Sequence, residues 1–229
     1  MSILSEHSPE GQPVDSFQQG YLSALVQGSG RQADQVVEKS LAGGLSARNV
    51  YMNIFQPSAY EIGRLWQMNQ VSVAQEHLAT AIIERQMGDL HTLFKPTRQR
   101  HSTLLIGCVD REFHRVGARM VADFFEQDGW DVVFLAAAVP TATFIAMARE
   151  INPDLVGLAC QMVYHLPAIS DFVRQLDGAG LGGIPVMAGG FPFVDQPDLY
   201  KSLGVRFSGA NAPAALALAN EWVLKEKQA

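Results

Sequence analysis

The sequence predicts a chain of two parts, an N-terminal four-helix bundle followed by a Rossmann-like (flavodoxin-like) α/β domain with a parallel sheet. Three observations predict it. At 229 residues and 25.0 kDa the chain exceeds one typical domain, so one large or two small domains are expected. Apolar residues recur at three- and four-residue spacing up to about residue 94, whereas beyond about residue 102 short, continuously apolar runs alternate with amphipathic stretches. Between these regions KPTRQRH (95–101) is polar, basic and interrupted by proline, the composition of a linker. The resulting organisation is a flexible tail over 1–14, a helical bundle cap over 15–95, a linker over 96–101 and an α/β domain over 102–229.

Phe17, Tyr21, Leu22 and Leu25 share a helical face that Gly28-Ser29-Gly30 ends. Val36, Val37, Ser40 and Leu41 continue the pattern as far as Gly43-Gly44. Residues 46–68 carry Val50, Ile54, Ile62 and Leu65, with Pro57 starting a new turn or a kink. A fourth helix over 71–94 would place Ala74, Leu78 and Ile82 towards the bundle core. Then STLLIGCV, a helix over 112–127, DVVFLAAAV, a helix over 141–150, DLVGLAC, a helix over 168–176, IPVMAGG and a helix from Ala212 form a βαβαβαβα series. Ligands of such sheets bind beyond the carboxyl ends of the strands, in the loops starting at Gly107, Ala136, Ala159 and Gly189.

Composition excludes several function classes. With 48% hydrophobic and 17% charged residues the chain can bury a core and is not a disordered sequence. No apolar run approaches the ~20 residues of a membrane span. Net charge is −6 and no Lys/Arg-rich run is present, which argues against direct nucleic-acid binding. The N-terminus lacks the basic and apolar regions of a secretory signal, and Cys108 and Cys160 lie in apolar runs without CxxC spacing. They read as buried free thiols of a cytoplasmic protein.

The first chemical constellation is GCVDREFHRVG over 107–117, directly after the first strand. His114 falls on the strand-to-helix loop, with Glu112 two residues before it and Gly117 three after it. A carboxylate at that spacing can orient the imidazole and raise its basicity, as it does for metal-bound histidines, and the glycine admits a large ligand. Taken alone, the same pattern suits a histidine capping a surface helix. Together with Gly189-Gly190 after the fourth strand, it resembles the cobalamin-binding domain shared by methionine synthase, corrinoid shuttle proteins and vitamin B12-dependent regulators. The resemblance implies that His114 is the lower axial ligand to cobalt, Glu112 its carboxylate partner and Gly117 part of the motif. Gly189 and Gly190 would leave room for the nucleotide tail, and 102–229 would be a cobalamin-binding domain. The family's Ser-x-Leu after the third strand is missing at Ala159-Cys160-Gln161, where Gln161 or Tyr164 would have to replace the hydroxyl.

The second constellation is Trp66, nine intervening residues, then Glu76-His77, with Val73 seven residues after the tryptophan. On a helix beginning near Val71, the residues Val73, Glu76, His77 and Thr80 share one face. Alone, this would be a core tryptophan and a solvated pair. The pattern is similar to the signature of the B12-dependent photoreceptors typified by the light-sensing repressors of carotenoid genes. The resemblance spans about 16–225 and implies that Trp66, Val73, Glu76 and His77 cap the upper face of the cofactor and surround its 5′-deoxyadenosyl group. Those repressors begin with a winged-helix DNA-binding domain of the MerR type, whereas this sequence starts almost at the bundle. They also carry a histidine after the tryptophan, where Gln67 stands here; His77 or His165 would then be the alternative upper donor.

The resemblance therefore implies a sensor without a DNA-binding domain of its own and without enzymatic activity. It would bind adenosylcobalamin, or methyl- or hydroxocobalamin, through cobalt. Photolysis of the Co–C bond would shift the bundle against the α/β domain and change self-association or binding to a separate transcription regulator. A corrinoid carrier of a methyltransferase system, or a haem or tetrapyrrole sensor on the same scaffold, is the alternative.

Overall fold

The computed structural model describes residues 14–226, and the chain divides into two compact units after Phe94. The tail expected over 1–14 lies outside the described residues except for Val14, which opens the first helix.

The N-terminal unit is built from α1 (Val14–Val26), α2 (Gly30–Ala42), α3 (Ala47–Val50), α4 (Gln56–Gln67) and α5 (Val73–His91). In α1 the buried Phe17, Tyr21, Ala24 and Leu25 form one stripe, and the helix ends before Gly28, whose φ of +67° suits a residue without Cβ. Helices α3 and α4 are continuous through a widened π turn, Tyr51–Phe55. That turn stands just before Pro57, whose ring lacks an N–H and would crowd the carbonyl four residues back, so the proline is accommodated without ending the helix. Ser72 caps α5 in a reciprocal box, its hydroxyl accepting from Gln75 N–H while its own N–H donates to Gln75 Oε1 at 2.9 Å.

The core face of α5 is Ala79, Ile82, Ile83, Gln86, Met87 and Leu90. Ala74 and Leu78, expected there with Ile82, are exposed instead. The helix is apolar on more than one side, so periodicity alone does not select the buried face. Tyr21, Tyr51, Phe55 and Phe94 pack as tilted ring pairs. Tyr21 Oη donates to Gln86, whose amide donates to Asp34 at 2.9 Å, so these three polar side chains are paired.

The C-terminal unit has β1 (Thr103–Cys108), α6 (Val116–Gln127), β2 (Asp131–Phe134), α7 (Thr141–Ile151), β3 (Leu155–Ala159), α8 (Leu166–Gly178), β4 (Val186–Gly189), α9 (Phe191–Asp195), α10 (Leu199–Ser202), β5 (Phe207–Ser208) and α11 (Ala212–Glu226). Among the described residues the strands make one parallel sheet of order β2-β1-β3-β4-β5. Helices α7 and α8 pack on one face and α6 and α11 on the other, which is why the strands read as continuous apolar runs.

Three local readings are corrected. The two-residue β5 escapes the four-strand series because it is too short to show a period. Helix α6 starts at Val116, so residues 112–115 belong to a loop that follows Arg111, whose φ is +63°. The run DVVFLAAAV is strand only to Phe134; Ala136 and Ala138 take left-handed backbone angles and turn away. Ala138 N–H then donates to the carbonyl of Glu112 at 2.9 Å, which fastens the β2 loop to the β1 loop.

Residues 95–101 are tied to the α/β unit. Thr97 N–H donates to Gln127 O and Arg100 N–H to Gly129 O, while the side chains of Arg98, Arg100 and Asn220 all donate to Asp128. Gly129 has φ +91°, and a Cβ there would meet the carbonyl of Arg98 at 2.0 Å. Among the described residues no helix is long and apolar enough to cross a membrane. Removing the shared acceptor strands these donors, so Asp128→Ala is expected to cost about 3 kcal/mol in chemical denaturation and to open residues 95–101 to protease.

Candidate functional site

The sheet order reverses between β1 and β3, and the loops that leave these neighbouring strands form the crevice where ligands of such sheets bind. Glu112 lies at its centre with no solvent exposure. Its Oε1 accepts from His114 Nδ1 at 2.5 Å and from the His114 backbone N–H at 3.1 Å. Its Oε2 accepts from the backbone N–H groups of Gln161 and Met162 at 2.8 and 3.0 Å, and from His165 Nδ1 at 3.1 Å.

Burial alone would raise the pKa of this carboxyl; the hydrogen bonds of His114, His165 and the backbone outweigh it and bring the value down to about 2. An ionised carboxylate only accepts, so the Nδ1 of His114 carries a proton, and in the neutral ring the Nε2 then holds the lone pair that a metal requires. The His114 side chain is 42% exposed. Sequence spacing placed Glu112 beside His114 correctly, and the structure brings them together.

Both thiols are fully buried, at the ends of β1 and β3. Burial, together with the Glu112 charge, pushes Cys108 and Cys160 up to about 12, so they are neutral near pH 7. Each supports a loop: Cys108 Sγ lies 3.8 Å from His114 O and Cys160 Sγ 3.4 Å from Met162 O.

Gly117 is exposed at the second position of α6, and neither it nor Gly189 has any atom within 4 Å of where a Cβ would stand. Gly190 is different. It has φ +129°, and a Cβ would fall 2.0 Å from the carbonyl of Cys160, so only glycine lets the β4 end approach the β3 end. Gln161 Oε1 accepts from Phe191 N–H at 3.2 Å, which links the β3 and β4 loops two residues beyond Ala159, where the family's serine is missing. Phe113, Val163 and Tyr164, on the β1 and β3 loops, are 73%, 66% and 69% exposed, an apolar rim beside His114.

The second constellation occupies the turn from α4 to α5. Trp66 is half-buried in the last turn of α4, its carbonyl accepting from Asn69 N–H at 2.9 Å, and Asn69 takes φ +56° to reverse the chain. Val73 is the first residue of α5 and is 53% exposed. Glu76 is half-buried; it accepts from Thr80 Oγ1 at 3.0 Å and from His77 Nδ1 at 2.6 Å, and His77 faces solvent.

Sequence reasoning missed the contact of His165 with Glu112. No local pattern announces it, since 53 residues separate the two and only the β1–β3 pairing joins them. Gly209 was missed as well: a Cβ there would lie 2.4 Å from Ala215 N, so the passage from β5 into α11 also requires glycine.

These features fit a cobalt corrinoid. The crevice offers a ring nitrogen donor backed by a buried anion, an apolar rim for a flat ring system, and glycines where side chains would fill the space.

Residues 102–217 match the family model of the B12 binding domain, and residues 18–90 match a second model of the same description. Among curated relatives, dimethylamine corrinoid protein 1 of Methanosarcina acetivorans is 24% identical over 190 residues, which cover 82% of this chain and 82% of that protein. The HTH-type transcriptional repressor CarH of Myxococcus xanthus is 24% identical over 177 residues, 77% of this chain but 58% of the repressor. Among solved structures, the monomethylamine corrinoid protein of Methanosarcina barkeri has a TM-score of 0.82 at 16% identity, covering 90% of this chain and 98% of that one, a likeness of fold.

With its pKa at about 2 against the ordinary 4.5, Glu112 contributes stability that is present above about pH 4.5 and lost as the pH falls from there towards 2. In acid titrations followed by circular dichroism, Glu112→Gln is expected to be less stable at pH 7 and to show a flatter profile between about pH 5 and 2. Gly190→Ala is expected to lose about 3 kcal/mol in urea denaturation, through the clash with Cys160 and the strained φ.

Proposed function

The chain belongs to the B12-binding-domain family, and from that premise we propose that it is a cobalamin-dependent light sensor that acts through protein contacts. The observation that carries the cobalamin reading is the buried Glu112 carboxylate holding the Nδ1 proton of His114, so that Nε2 would be left to hold cobalt. Glu112, Gly117, Gln161, Gly189 and Gly190 would frame the cofactor on the α/β unit.

The sensor reading rests on Trp66, Val73, Glu76 and His77, whose spacing matches the photoreceptor signature. The capping box at Ser72 fixes where α5 begins and so where Val73 and the Glu76-His77 pair stand. Trp66 and Val73 would contact the upper, 5′-deoxyadenosyl group, and Glu76, held by Thr80, would present an acceptor to it. Bound adenosylcobalamin supplies a Co–C bond that visible light cleaves homolytically. Without that upper group Trp66 and Val73 would lose their contacts with it, and the preferred state of the α4–α5 turn would change, the differential interaction that any such switch requires. The output would be altered self-association or altered binding to a separate transcription regulator. The chain itself would turn over no substrate.

A second reading is favoured by the similarity to dimethylamine corrinoid protein 1, which spans the same share of both chains. On that reading the chain carries a methylcorrinoid to and from a methyltransferase, with the lower site unchanged.

Absorption spectra with adenosylcobalamin before and after green light, combined with size-exclusion chromatography, separate these readings. The sensor is expected to show photolysis accompanied by a change of size or by capture or release of a regulator. An unchanged spectrum overturns the sensor reading, and methyl exchange with a methyltransferase independent of light supports the carrier. His114→Ala is expected to abolish the spectrum of histidine-ligated cobalt. Trp66→Ala is expected to keep cobalamin binding and lose the light response.

A further inference from the structure

The Glu112 carboxylate carries two imidazoles, and the second has no role in the reading above. His165 ends the 3₁₀ turn Val163–His165 that follows β3, with its side chain 15% exposed. Its Nδ1 lies 3.1 Å from Oε2 of Glu112, while the Nδ1 of His114 lies 2.5 Å from Oε1. The Tyr164 ring stands edge-on to the His165 ring, with centroids 4.3 Å apart and an interplanar angle of 73°.

A carboxylate turns freely about its terminal bond unless both oxygens are held. On Oε1 the donors are the ring and backbone of His114, the group to be positioned. On Oε2 the two backbone N–H groups come from adjacent residues, Gln161 and Met162, and pull from one stretch of chain. His165 adds a donor from the following turn, on a rigid ring whose own orientation Tyr164 limits. As an ionised acceptor Glu112 obliges His165 also to present Nδ1–H, so the two rings share one anion as donors from opposite sides.

We propose that His165 is a positioning residue for the cobalt ligand. Its Nδ1–H fixes the plane of the Glu112 carboxylate, and that plane sets the orientation and tautomer of His114. The inference rests on the reading of His114 as the lower ligand, and it gives a part to a residue that the sequence analysis named as an alternative upper donor.

Two substitutions test it. His165→Phe keeps ring volume and removes the donor, whereas His165→Asn puts an amide nitrogen where Nδ1 stands. Nitrogen-15 spectra of the histidine rings in cofactor-free protein report the tautomer of His114, and absorption spectra with hydroxocobalamin report the histidine-ligated fraction. The expected result is a mixed His114 tautomer and a roughly tenfold fall in the ratio of ligated to unligated cofactor for His165→Phe, with His165→Asn returning to within about threefold of the unaltered protein. A wild-type tautomer and ratio in His165→Phe would overturn the inference. So would equal impairment of both variants, because the shape of the turn rather than its donor would then be at work. His114→Ala separates the two levels: if it leaves the spectrum unchanged, the ligand reading fails and this inference with it. If it changes the spectrum while His165→Phe does not, the inference alone fails.

Discussion

A single buried anion organises the α/β unit. Removing a carboxylate from water costs several kcal/mol unless its oxygens are matched by donors, and Glu112 has no contact with solvent. Its donors come from two loops, one after β1 and one after β3. Those loops are neighbours only because the sheet places β3 next to β1 with Cys108 level with Ala159. The topology, the backbone path of 109–115 and 160–165, and the tautomer of His114 therefore depend on one another. A shift of register would strand the charge.

The same constraint explains the surroundings. A negative charge near two thiols disfavours a second anion, which adds to the effect of burial and keeps Cys108 and Cys160 protonated. As neutral weak donors they lie against the carbonyls of His114 and Met162, in the two loops that surround Glu112. Gly190 belongs to this arrangement for a steric reason: the chain after β4 passes so close to Cys160 that no Cβ fits between them. Gln161 then spans from the β3 loop to Phe191, so three successive strand ends are joined by hydrogen bonds or close backbone contact. Such a site keeps its shape without its ligand, and a preorganised donor does not lose ordering entropy at the moment of binding.

What the sequence made legible follows from the range of the interactions. His114 and Glu112 are two residues apart, so their contact is a local matter of loop geometry, and the spacing sufficed. The strands and most helices were legible because burial on both faces of a parallel sheet, or on one stripe of a helix, writes a period into the chain. His165 was not legible, because its partner is reached only through strand pairing. Leu78 was placed on the wrong face because α5 is apolar around much of its circumference, and the packing of α1 and α4 against it decides which stripe is covered. Pro57 was read as starting a new turn or a kink because proline excludes the regular helix, whereas a widened π turn lets the helix run through it.

The two functional readings share everything on the α/β unit, so their difference has to be sought at the α4–α5 turn. There the chain makes a costly arrangement. Met68 and Val73 are 53% exposed, at the start of the turn and the start of α5, and Glu76 is half withdrawn from water with Thr80 and His77 as partners. Apolar side chains held in water next to a partly desolvated carboxylate contribute little to the bundle, whose core is filled by Tyr21, Tyr51, Phe55 and Ile83. Under the proposed reading, a ligand with both apolar surface and hydrogen-bonding groups would cover these side chains and engage Glu76. A methyl group has no hydrogen-bonding group to engage Glu76. A nucleoside would offer both kinds of surface, as the proposed adenosylated cofactor requires of this turn.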